Sequence, residues 1–184
     1  MAIEFSLQTA LIGTLGSSAV LSATLCYLWR LNPSQRALLF WSFAFAAQTL
    51  RMAAQLGVTT GLTEFWIVTD ILFAVVTLFI WLGTCALTNR PRHLRLVGSL
   101  LCLTLAWGFV AAAQNLPFVA RTLPLYTMAC VVLLIAAAAL FQQAKRYPGI
   151  GYRGLGLLFA LLAIHYLDYP FLRTVPGFAP YGFA

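Results

Sequence analysis

Six stretches of this chain, roughly 6–29, 36–57, 64–88, 94–114, 121–144 and 152–172, are apolar over the length of a helix that crosses a bilayer. Crossing a hydrocarbon core about 30 Å thick takes about 20 mostly apolar residues. No water is present there to satisfy backbone N–H and C=O groups, so each stretch must close its hydrogen bonds internally, as an α-helix. The connections carry residues that end helices: Asn32-Pro33, Gly57 to Gly61, Pro91, Asn115 to Pro117 and Pro148-Gly149. The expected fold is an all-α, polytopic membrane bundle with six complete spanning helices, residues 1–184 forming one domain. Only 8% of residues are charged, against about 25% in soluble domains. That leaves no room for a separate globular unit.

The opening Met1-Ala2-Ile3-Glu4 lacks a basic stretch and a small-residue cleavage site, so no cleaved signal peptide is expected. A net charge of +7 in a water-soluble chain would point to nucleic acid. Here the positive residues alternate between connections. Arg30 and Arg36 flank the first, Arg90, Arg92 and Arg95 lie in the third, and Lys145, Arg146 and Arg153 lie in the fifth. The second has only Glu64 at its end, and the fourth has Arg121 alone. By the positive-inside rule the odd connections are cytoplasmic and the N-terminus is outside. The basic loops thus face a lipid surface, and no nucleic-acid partner is expected. Cys26, Cys85, Cys102 and Cys130 all fall inside apolar runs without Cys-x-x-Cys spacing, and read as small buried residues.

The polar residues within the spans define the candidate site. Gln48, Arg51 and Gln55 are spaced i, i+3, i+7 and share one helix face. At 1.5 Å per residue, Arg51 lies ~22 Å from the inner end of its span and Asp70 ~9 Å from the outer end of the third. By the same rise, His165 and Asp168 lie ~20–24 Å up the sixth. These depths coincide, so the charges occupy one layer in the outer leaflet. Charged groups at such depth are costly and tend to mark sites. The expected ligand-binding set is Gln48, Arg51, Gln55, Asp70, His165, Asp168, Tyr169 and Arg173, serving a small ligand or ion. A carboxylate-bearing ligand would suit Arg51 beside the Gln48 and Gln55 amides. A transition-metal ion would instead use His165 and Asp168, at i, i+3, with Asp70. The organic ligand is favoured, because a single histidine makes a thin metal site. Trp66, Tyr126, Tyr166 and Tyr169 lie near this level and read as interfacial belt aromatics, although Tyr169 shares a face with His165. Asp168-Tyr169-Pro170 restricts the backbone, so the sixth helix is expected to break or kink there.

Other readings compete. The same charges could form a structural network, Arg51 with Asp70 and Asp168 with Arg173, since polar side chains hold helices together in lipid. Transport or ion conduction is the alternative function, although carriers tend to show related halves and midplane polar sites, and no internal repeat is visible. Enzymatic activity is not expected. Intramembrane zinc chemistry needs several histidines, and the spans contain one. No Gly-x-Ser-x-Gly motif accompanies it.

The run His165-Tyr-Leu-Asp168-Tyr-Pro170-Phe-Leu-Arg173, with Phe178-Ala-Pro180-Tyr-Gly182-Phe after it, resembles a signature of bacterial membrane sensor domains. These are the N-terminal multi-helix parts of sensor histidine kinases and diguanylate cyclases. Two positions differ from the usual pattern, Tyr181 where Trp is common and Thr174 where Pro is. The resemblance covers about twenty residues. It implies a bacterial inner-membrane location, a role in signal transduction, and a seventh helix of which residues 178–184 are the start. It also implies a cytoplasmic kinase or cyclase output module in cis, with a homodimer as the natural working form of such outputs.

Overall fold

The computed structural model describes residues 2–62, 65–91, 93–149 and 151–172, with side chains from Leu7 onward. Arg173 and the 178–184 segment lie outside the described residues. All regular structure among the described residues is helical: α1 (Ala2–Leu31), α2 (Arg36–Thr59), α3 (Phe65–Thr88), α4 (Leu94–Ala113), α5 (Phe118–Arg146) and α6 (Tyr152–Leu172). All six are long and apolar enough to cross a membrane. Their faces away from the bundle are apolar too, with Leu103 67% and Val20 65% exposed. Soluble monomers rarely tolerate such continuous apolar exposure, so the surface is that of a multi-pass membrane protein.

The helix ends follow from single residues. Gly61, Asn89 and Asn115 take left-handed backbone conformations, with φ of 101°, 52° and 56°. The residue after each sends its N–H far back: Leu62 to the Gly57 carbonyl and Arg90 to that of Cys85, both at 3.0 Å, and Leu116 to that of Ala111 at 2.9 Å. This closure satisfies carbonyls that the last turn would otherwise orphan. Glycine and asparagine are the residues that reach the required conformation at low cost.

In the plane of the bundle the order is α1, α2, α3, α5, α6, with α4 set outside the α3–α5 seam and touching both. Small residues make the close approaches, as in other membrane bundles. Ser22 on α1 and Ser42 on α2 each donate to the other's backbone carbonyl at 2.9 Å. A Cβ at Gly83 of α3 would collide with the Trp41 indole of α2, and one at Gly156 of α6 would lie 3.1 Å from the Phe141 ring of α5. Ala136, Ala137 and Ala139 of α5 and Ala163 of α6 are buried. Cys85 and Cys130 are buried as expected, but Cys102 is exposed on the outward side of α4. Periodicity could not foresee that, because α4 is apolar on every face.

Two prolines lie within helices without ending them. Pro124 in α5 has no N–H to offer the carbonyl of Ala120. The indole Nε1 of Trp107, from α4, donates to that oxygen instead, at 2.9 Å. The expected break at Asp168-Tyr169-Pro170 is not present, since α6 runs through Pro170 to Leu172. Pro170 sits in the last described turn, where it deprives only the Tyr166 carbonyl of its helical donor.

Candidate functional site

Side-chain contacts between helices fix their relative heights. Trp41 Nε1 points to the Ile80 carbonyl at 3.4 Å, so seven residues further along α2, and back along antiparallel α3, Gln48 stands level with Phe73. Three more bring Arg51 level with Asp70. Trp41 also meets Phe159 of α6 edge to face at 6.4 Å between centroids, which sets Gln48 level with Tyr166. The expected coincidence of depth is therefore present in α2, α3 and α6. This layer lies toward the end of the bundle opposite the one that carries Arg30, Arg36, Arg90, Lys145, Arg146 and Arg153.

Arg51 is the centre of the layer. Its residue is 7% exposed. Nη2 donates to the Tyr126 hydroxyl at 2.8 Å and Nη1 to the Gln48 Oε1 at 3.4 Å. The guanidinium carbon stands 4.4 Å from the centroid of the Phe73 ring, where the negative face of the π-system attracts a cation. Phe73 stacks on Tyr126 at 4.5 Å and takes the edge of Tyr166 at 4.9 Å. Tyr126 stacks in turn on Tyr169 at 5.1 Å. Arg51 Nε is buried with no hydrogen-bond partner. Gln55, one turn further along the same face, is buried as well.

The remaining charges sit in two neighbouring settings. His165 Nδ1 and Asp168 Oδ1 are 3.6 Å apart on α6, with side chains 36% and 46% exposed. The His165 ring meets Tyr169 at 6.4 Å, so the pair reaches Arg51 through two stacked tyrosines. Asp70 is within electrostatic range of Arg51. It also lines a narrow cleft of about 10 Å³ between α3, α4 and α5, with Trp66, Gly108 and Arg121. That is room for about one water molecule. The Arg121 guanidinium lies over the Trp66 ring at 4.3 Å. Among the described residues no three His, Cys, Asp or Glu side chains come together. Asp70 therefore does not join His165 and Asp168 as a third ligand, because its face of α3 turns to α4 and α5.

The belt reading of the aromatics is corrected. Tyr126 is 4% and Tyr169 2% exposed, and both belong to the central core with Phe73. Tyr166 is packed against that core, and Trp66 serves as the platform for Arg121. Tyr126 and Phe73 were not foreseen as partners of Arg51. One signal was available: a lone guanidinium deep in an apolar bundle needs hydroxyls and ring faces at its own height, and few residues offer them. Arg121, assigned to the margin of a connection, is instead inside the first turns of α5. Comparison with protein-family models, with curated proteins and with solved structures finds no match.

Proposed function

We propose that this chain is the sensory input domain of a bacterial signal-transduction protein of the inner membrane, with its N-terminus outside and its basic end in the cytoplasm. The ligand acts at the Arg51 layer. A seventh span and a cytoplasmic kinase or cyclase module, implied by the likeness of the tail, receive the change. One observation carries the reading: Arg51 of α2 is joined through Tyr126 of α5 and Tyr169 to His165 on α6. A ligand that altered this chain of contacts would bias α6, the described helix that leads toward the tail. It would do so only through differential affinity for two arrangements of the bundle.

The test is the output of the protein in cells, read as phosphorylation or cyclic dinucleotide level, with Asp168→Asn and Gln48→Leu introduced separately. The Asp168 side chain is 46% exposed and asparagine keeps its size and shape without the charge, so Asp168→Asn should accumulate normally. The expected result is an altered response in both variants, at unchanged abundance for Asp168→Asn. An unaltered response in both variants would refute the reading, and solute movement by the purified protein in sealed vesicles would replace it with transport.

A further inference from the structure

A groove of about 460 Å³ lies between α1, α2, α3 and α6. Its place follows from the topology, since α1 packs on α2 and α6 on α5, leaving the α1 and α6 backbones apart. Heights read from the Ser22–Ser42 and Trp41–Phe159 contacts order its lining along the bundle. Ser17, Gln48 and Tyr166 line the end at the Arg51 layer, and Leu25, Trp41 and Leu155 line the other end. From Leu155 to Tyr166 the groove runs about 16 Å at 1.5 Å per residue, close to half of a hydrocarbon core about 30 Å thick. Its volume falls within the ~300–1,000 Å³ typical of small-molecule sites, which are apolar with a few placed polar groups. Here the polar groups are gathered at one end.

The polar end is also oriented. Arg51 donates to the Gln48 oxygen, so the two amide N–H donors of Gln48 remain for whatever fills the groove. The buried positive charge behind that amide selects for an acceptor with negative charge. We infer that the groove binds a single-chain amphiphile, a long-chain fatty acid, with its carboxylate at Gln48 and Tyr166 and its alkyl chain running toward Leu25 and Leu155. The inference deepens the sensor reading by naming the ligand class of the same layer.

The test is photo-crosslinking of the purified protein in phosphatidylcholine nanodiscs with a diazirine-bearing palmitic acid. Labelled peptides are mapped by mass spectrometry. Label is expected on α1 and α6 around Leu25 and Leu155, displaced by palmitate and not by methyl palmitate. Leu21 lines the groove and is 44% exposed, so Leu21→Trp should fold while obstructing the chain and cut labelling about tenfold. Leu155→Trp blocks the opposite wall and should do the same. Gln48→Leu removes the head-group donors and should cut labelling about three- to tenfold. Leu134→Trp, on the outward face of α5, should change nothing. Label spread over the outward faces of α4 and α5, or equal displacement by methyl palmitate, would overturn the inference. So would insensitivity to both groove-blocking variants. Localised labelling with a silent output would sink the sensor reading alone, whereas an output responsive to a water-soluble stimulus without localised label would sink this inference alone.

Discussion

The guanidinium of Arg51 on α2 and the hydroxyl of Tyr126 on α5, 75 residues apart in the chain, meet at 2.8 Å in the buried centre of the bundle. Their contact is a direct polar link between helices that do not pack backbone to backbone. Hydrogen bonds between membrane helices measured by double-mutant cycles average about 0.6 kcal/mol and reach about 1.7. A charged donor belongs near the top of that range. Tyr126→Phe should therefore destabilise the protein in detergent and Arg51→Met should do so more strongly. The double variant should show a coupling of about 1–1.7 kcal/mol in reversible unfolding. Additive single effects would mean that the contact contributes nothing.

A second coupling joins Trp107 to Pro124. Trp107→Phe leaves the Ala120 carbonyl without this donor, and should cost about 0.5–1.5 kcal/mol. Pro124→Ala restores the backbone N–H that this carbonyl ordinarily receives. In the Pro124→Ala background, Trp107→Phe should therefore cost clearly less, measured by thermal unfolding of the four proteins side by side.

The close approach of α2 and α3 is steric. Gly83→Ala places a methyl group into the Trp41 indole, and overpacking of this kind costs about 1–3 kcal/mol. Trp41→Ala should recover much of the loss caused by Gly83→Ala while creating a cavity of its own. A melting curve for Gly83→Ala that matched the parent would show that the helices separate freely.

Orientation is open to a direct test. The native cysteines lie within helices, so single cysteines can be placed at Thr60 or Asn115 on one end and at Ser34 or Pro148 on the other. A membrane-impermeant thiol reagent applied to intact cells should label the first two. The second two should react only after permeabilisation. The reverse pattern would turn the bundle over.

The number and limits of the helices were legible because bilayer thickness imposes them and because Asn, Gly and Pro punctuate the connections. Four of the six helices agree within two residues at both ends; α1 begins earlier, at Ala2, and α5 begins at Phe118 and takes in Arg121. The common depth of Arg51, Asp70 and His165 was legible for the same reason, since rise per residue converts sequence position into height. The order of helices around the bundle was not. With apolar residues on every face, no periodic signal marks which side of α3 meets α5. The partners of Arg51 therefore stayed hidden, and Tyr126 and Tyr169 were read by height alone as residues of the membrane boundary.

Biosynthesis inherits a timing problem from the Arg51–Tyr126 contact. A ribosome adding ~5–20 residues per second needs about 4–15 s to travel from one residue to the other. For that interval the nascent hairpin of α1 and α2 holds a cation whose final acceptor has not yet been made. It must linger near the insertion machinery, or draw water around the arginine, until α5 arrives. Variants that lengthen the wait by slowing translation between these positions would expose the young chain to proteolysis while leaving the finished protein identical.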